Sequence, residues 1–532
     1  MFGGTIYRLE NGYEEFLKDE SRSAGCAQSI SFPQSEEDIK RILTQLKENG
    51  EQVTVQGART GITAGAVPRG GHILNLSRMN KITGLRCHRD GKSFLLTVQP
   101  GVLLKDIRQA VAQKTFNVEG WSGESMEALE LLKNSKAYFF PPDPTETSAS
   151  IGGMAACNAS GARSFKYGST REYIESLRIL LVDGSALYLR RGVEKARGRL
   201  FNLLLDTGTL LEGTLPDYGM PDVKNASGYY VKEGMDLIHL FIGSEGTLGI
   251  LTEIEIRLIP APPYAWGITA FFPSEEGAVD FVRALRGESV DFLTSPLVDK
   301  PAAIEFFDCN ALNLLRGQKE SNPAFSEIPA LPPEYHTAVY FEYDGEDENR
   351  LEDMAARAVE ALTECGGSED ATWLATGPRE MEKMHFFRHA VPEAVNLLIG
   401  QRNRVNRSIT KLGTDMAVPD HKLGEVMALY NQSLAASGLK YVKFGHIGNN
   451  HIHVNILSDS AEEYDRGREL YLDWGDRVAR MGGTVSAEHG IGKLKVEMLR
   501  KMYGHEAVRQ MLRLKRLFDP DGRLNRGNLF GE

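Results

Sequence analysis

The chain has 532 residues, 42% hydrophobic and 25% charged, the composition of an ordinary soluble globular protein with room for large cores. Its formal net charge of −11 argues against a nucleic-acid partner, and five scattered cysteines without a C-x-x-C pair argue against iron–sulfur, structural-zinc or disulfide frameworks. The unusual count is 54 glycines, about 10% where ~7% is typical, so loops that approach something closely are expected.

The first twenty residues lack the basic-then-apolar order of a signal peptide, and no run reaches the ~18 apolar residues of a spanning helix. A cytoplasmic location with reduced thiols is expected, free or peripheral at a membrane. Ser35-Glu36-Glu37-Asp38 opens a helix that Asn49-Gly50 closes. Residues 53–55 read as a strand, as do 94–98 and 177–182, the last ending in the hairpin signal Asp183-Gly184. Residues 248–259 close this block as a strand, and Pro260, Pro262 and Pro263 mark a linker. Weak signals at 120–138 and 190–222 read as loops or insertions.

Beyond the linker, helices over 275–285 and 351–365 alternate with strands such as 338–343. The fold class is therefore α+β. Three units are expected: 1–263, 264–480, and a C-terminal segment 481–532 that returns to the first.

Three glycine clusters stand out: 57–71 (GARTGITAGAVPRGG), 141–173, and 243–250 (GSEGTLGI). Such backbones form anion-binding concavities, although none is a G-x-G-x-x-G or Walker loop. Further on, YVKFGHIGNNHIHVNI (441–456) reads as a hairpin turning at Asn449-Asn450. That turn would pair Gly448 with His451 and His446 with His453, and place His446, His451, His453 and Asn455 on one strand face. Glu488, in GGTVSAEHGIG (482–492), would complete a two-histidine, one-carboxylate site for a divalent metal of the zinc or manganese type. His489 is then left to act as a base, with His451 an open question.

The glycine clusters, the block Pro142-Asp143-Pro144 … Ile151-Gly152-Gly153 … Asn158 … Gly161 … Gly168 … Thr170, and the Glu488–Gly492 element together resemble the FAD-linked D-2-hydroxyacid dehydrogenases (D-lactate, glycolate and D-2-hydroxyglutarate dehydrogenases). These belong to the vanillyl-alcohol-oxidase type of flavoprotein. The resemblance implies a PCMH-type FAD-binding domain and a cap domain with the substrate site. It assigns cofactor binding to Gly57, Ala58, Arg59, Thr60, Gly61, Pro142, Asp143, Thr147, Gly152, Gly153, Asn158, Gly161, Gly168, Thr170, Gly246, Gly249, Ile250 and Asn525. It assigns the metal to His446, His453 and Glu488, and catalysis to His489, Arg388 and Lys411, with Arg388 gripping the substrate carboxylate. With Arg59 and Thr60 at the centre of the first loop, FAD is expected to be non-covalent.

The family's hairpin reads His-x-Gly-Asp-Gly-Asn-x-His; here Asn449, Asn450 and His451 replace Asp, Gly and Asn. The expected reaction oxidises a D-2-hydroxy acid to the 2-oxo acid. An electron-transfer protein, a quinone or oxygen would be the acceptor, and a homodimer is allowed. Two other readings stay open: an ether-forming synthase of the alkyl-dihydroxyacetonephosphate-synthase type, and a non-catalytic electron-transfer subunit.

Overall fold

A computed structural model describes residues 5–10, 12–291, 293 and 297–531. Four sheets organise it. A small one orders strands Tyr7–Arg8, Ser29–Ser31, His72–Asn75 and Val53–Gln56, with the last three parallel. Ser35 caps the adjoining helix Glu36–Glu48 by accepting from Asp38 N, and Ile39, Ile42, Leu43 and Leu46 bury one face of it.

The second sheet is antiparallel: Ile82–Cys87, Phe94–Val98, Ile250–Pro260, Ile174–Leu180 and Ala186–Arg190. Its longest strand, Ile250–Pro260, follows directly on the third glycine cluster, which holds that cluster at the sheet's end. The third sheet has eight strands and runs from Thr372–Ala375 through Tyr264–Phe272, Thr337–Gly345, Ala303–Phe307 and Tyr441–Gly445 to His451–Ile456 and Leu412–Gly413; Met416–Ala417 pairs with His451–Ile456 off that path.

Two segments read as loops are ordered elements. Residues 123–133 form the helix Gly123–Lys133, whose N-cap Ser122 accepts from Ser125 N. Leu200–Leu204 and Leu210–Thr214 form a two-stranded sheet of their own. Its alternation was legible, but it buries only one face, with Phe201 against Phe518 at 6.3 Å.

The tail threads back onto the first sheet. Val53 N donates to Arg523 O (2.8 Å), Asn525 N donates to Val53 O (2.9 Å), and Asn525 Oδ1 accepts from Val55 N (2.7 Å). Asn525 adopts φ 43°, a left-handed conformation that asparagine tolerates. Among the described residues, no helix is long and apolar enough to cross a membrane.

Candidate active site

The first, second and third sheets meet around a cavity of about 920 Å³. Gly57–Gly61, Gly152, Gly153, Gly246, Gly249 and Asn525 form one part of its wall; Arg388, Lys411, His446, His453, Glu488 and His489 form another. Among the described residues, the N–H groups of Arg59, Thr60 and Gly61 have no protein acceptor. A loop of unpaired donors beside a helix N-terminus, Ile151–Cys157, fits the pyrophosphate of a dinucleotide such as FAD. Arg59 itself turns away: its guanidinium lies 4.2 Å from the Phe16 ring centroid and pairs with Glu15 at 3.0 Å.

Other residues assigned to the cofactor stand behind the wall. Pro142, Asp143, Thr147, Asn158, Gly161, Gly168, Thr170 and Ile250 do not line the cavity. Asn158 is the left-handed C-cap of Ile151–Cys157, and its Oδ1 accepts from Arg171 N at 3.0 Å and Ser169 Oγ at 2.9 Å. Thr170 Oγ1 donates to Ala159 O at 2.6 Å. Gly161 is small because a Cβ there would sit 1.6 Å from Asp143 O. The run 161–168 docks the third sheet: Arg163 Nε bonds Glu342 Oε2 at 2.9 Å, Lys166 pairs with Asp344, and Tyr167 Oη donates to Asp344 Oδ2 at 2.7 Å. These residues support the site mechanically.

The histidine hairpin differs from the expected register. Phe444 pairs with His453 and Tyr441 with Ile456. His451 N donates to His446 O at 3.2 Å, so the connection is the four-residue turn 447–450, not Asn449-Asn450 alone. A shift of two residues preserves strand parity, so the common face of the histidines survives. Asn450 takes φ 52°, where the family pattern has glycine, and buries its amide against Arg286, Val418 O (3.1 Å) and Asp420 (2.9 Å).

His446, His451, His453 and Glu488 each offer a donor atom, all within 4.8 Å of one another. Each histidine has one nitrogen occupied by a carboxylate or carbonyl. His446 Nδ1 bonds Glu305 Oε1 at 2.6 Å, His453 Nδ1 bonds Thr414 O at 2.8 Å, and His451 Nε2 lies 2.9 Å from Asp415 Oδ1. The second nitrogens face the cluster: His446 Nε2 is 3.1 Å from Glu488 Oε2, and neither nitrogen of buried His451 makes a well-aligned hydrogen bond, Nε2 lying beside Asp415 and Nδ1 facing Glu488 at 3.7 Å. This is the outer-layer arrangement that orients imidazoles toward a metal, and the donor set fits one. His451 thus joins the cluster as a fourth candidate ligand.

The electrostatics follow from burial. Burial pushes the His446 imidazole down, but Glu305 outweighs it and raises it to about 9, whereas burial holds His451 at about 4. Burial opposes ionisation of Glu488, yet Lys224 and His446 hold its carboxyl well below the ordinary range. Lys224 Nζ sits 3.2 Å from Glu488 Oε2.

Arg388 and Lys411 are placed apart. Arg388 lies on the helix Pro378–Val405, and Pro392, four residues on, removes the donor for its carbonyl. Its guanidinium is buried. Among the described residues it forms one hydrogen bond, to His389 Nε2 at 2.7 Å, with Asp143 Oδ2 at 4.0 Å and the charges of Glu305 and Glu342 near enough to act on it. That leaves planar donors for an incoming carboxylate. Lys411 instead donates to Asn396 Oδ1 at 3.1 Å, eight residues along the same helix and so about 12 Å from Arg388 along the axis. It opens onto the cavity and is exposed there, and the protein around it with the neighbouring Arg22 charge pulls its ammonium down to about 8.

Four neighbours escaped assignment from sequence: Lys224, Glu245, Glu305 and Asp415. Glu245 lies within the third glycine cluster, but nothing local marks Lys224, Glu305 or Asp415, which reach the site from separate elements. Glu245 is buried and accepts from Ile491 N (2.6 Å) and Gly492 N (2.8 Å), tying the third glycine cluster to the Glu488–Gly492 loop.

Comparison with known proteins matches residues 262–529 to the family described as FAD linked oxidases, C-terminal domain, and residues 27–120 and 114–190 to the FAD binding domain family. The chain is 29% identical over 524 residues to a D-lactate dehydrogenase of Anaerostipes hadrus, covering 97% of this chain and 92% of that one. It is 27% identical over 508 residues to the glycolate oxidase subunit GlcD of Bacillus subtilis (95% and 89%), and 27% over 511 to a D-2-hydroxyglutarate dehydrogenase of Xanthomonas citri (94% and 89%). A solved alkyldihydroxyacetonephosphate synthase structure is similar in fold, with a TM-score of 0.59 at 16% identity, covering 95% of this chain and 76% of that one.

Proposed function

Because the chain belongs to the FAD-linked oxidases, we propose that it oxidises a D-2-hydroxy acid of the lactate, glycolate or 2-hydroxyglutarate class to the 2-oxo acid. The observation that carries this reading is the convergence, in one cavity, of a dinucleotide-sized backbone cradle, a buried guanidinium and a histidine–carboxylate cluster. FAD, when bound, supplies the two-electron acceptor for the hydrogen on C2. A divalent cation on His446, His453 and Glu488, with His451 beside them, would polarise the substrate hydroxyl.

The protein's own groups do the rest. Arg388 fixes the substrate carboxylate, and its burial strengthens that ion pair while excluding water. His489 takes the hydroxyl proton on Nε2, because its Nδ1 faces Asp415 at 3.3 Å; such general-base assistance is worth ~10²–10⁴-fold. Residues 1–263 and 481–532 hold the cofactor in this scheme, and 264–480 hold the substrate. An electron-transfer protein, a quinone or oxygen then reoxidises the flavin.

The test is anaerobic bleaching of the bound flavin by a panel of D-2-hydroxy acids. At least one should bleach it, and His489→Ala should bind FAD yet bleach ~10²–10⁴-fold more slowly. Normal bleaching by that variant removes His489 from its role.

A further inference from the structure

We infer that Asp415 is a positioning residue whose single buried carboxylate fixes both the base His489 and the cluster histidine His451. This rests on the hydroxy-acid reading above for its consequence in catalysis, though not for its geometry. Asp415 lies between the short strands Leu412–Gly413 and Met416–Ala417 and is 1% exposed. Its Oδ2 accepts from Lys495 Nζ (2.6 Å), Ser486 Oγ (2.6 Å) and His489 N (3.0 Å), and lies 3.3 Å from His489 Nδ1. Its Oδ1 accepts from Glu488 N (3.2 Å) and lies 2.9 Å from His451 Nε2. Its backbone oxygen accepts from Ala487 N at 2.7 Å.

A carboxylate buried only for stability needs its charge paired and its lone pairs filled, which Lys495, Ser486 and the two loop N–H groups already achieve. Two imidazoles crowd the same oxygens nonetheless. An Nδ1–H directed at Asp415 keeps the lone pair of His489 on Nε2, the atom assigned to proton transfer. The contact to His451 Nε2 acts in the mirror sense, leaving Nδ1 toward Glu488, 3.7 Å away. One side chain therefore sets the tautomer of the base and the aim of a cluster ligand together. Lys495 is the cation that holds this carboxylate in place.

Asp415→Asn keeps the shape and one of the two oxygen acceptors but loses the charge and the second acceptor. In anaerobic stopped-flow reduction of the FAD-loaded protein, the limiting rate should fall ~10²–10⁴-fold, while the substrate concentration for half-saturation moves less than ~3-fold. A second measurement needs no substrate. The rate of His489 carbethoxylation by diethyl pyrocarbonate, followed by peptide mass spectrometry, should drop at least ~5-fold, with His505 as the unaffected control. An unchanged limiting rate or unchanged His489 modification overturns the inference. If Asp415→Asn does not fold, Lys495→Gln should lower both readouts ~3–10-fold, and no change there overturns it equally. If the unaltered protein is bleached by no hydroxy acid, the functional reading fails, while the carbethoxylation arm still decides the role of Asp415.

Discussion

The two walls of the cavity are built on opposite principles. The wall with the glycine loops presents backbone, and its side chains are mostly absent or turned away; the wall with the histidine cluster presents side chains, most of them held by a second buried group. The glycines show the difference. A Cβ on Gly57 would lie 2.1 Å from Ser150 Oγ, on Gly152 2.6 Å from Pro100 Cβ, and on Gly249 2.5 Å from Ile179 Cγ2. Gly61, by contrast, has nothing within 4 Å of such an atom. Most of these glycines exist so that the protein can close upon itself, and only then can its N–H groups present a cradle. On the other wall, charged groups are held in low dielectric, where a missing partner is costly.

Three experiments break or sharpen this contrast. The largest effect is expected at Gly57→Val: the added carbons displace Ser150 Oγ, which caps Ile151–Cys157 and accepts from Ala58 N at 3.3 Å. FAD content by absorbance should fall from about one per chain to below about 0.1, while metal content holds, since overpacking is local. Next comes Glu305→Gln, which weakens the acceptor on His446 Nδ1. Metal affinity, measured by competition with a chelator, should fall ~10–100-fold with FAD retained. Loss of both groups in either variant would mean that the walls are not independent. The smallest effect concerns Lys411, whose ammonium is lowered to about 8. It is cationic below that pH and neutral above it, so KM for an anionic substrate should rise ~3–10-fold between pH 7 and 9, without a matching fall in kcat. Lys411→Met should show a flat KM across that range.

How much was legible beforehand follows the same division. The helix capped by Ser35, the strand Phe94–Val98 and the helix Glu275–Leu285 follow from local pattern and appear with little or no displacement. The histidines were visible because four donors sat within a short stretch and one motif. Their hairpin register was misjudged, because Asn449 closes a 3₁₀ turn rather than forming half of a two-residue one. The helix Gly123–Lys133 was missed because its apolar positions make only a weak stripe. Glu305, Lys224 and Asp415 could not be singled out, being ordinary charged residues in ordinary local contexts.

From sequence alone come the family, the flavin-binding class and the identities of the chemically competent groups, because those depend on residue type and short-range spacing. Tertiary structure decided which oxygen faces which ring nitrogen: Glu305 behind His446, Asp415 between His451 and His489, Lys224 against Glu488. It also decided that Arg388 and Lys411 stand two helical turns apart. The reason is physical. Tautomer, charge state and reach are set by partners tens to hundreds of residues away in the chain, and only the folded sheets bring them within 3 Å or so of each other.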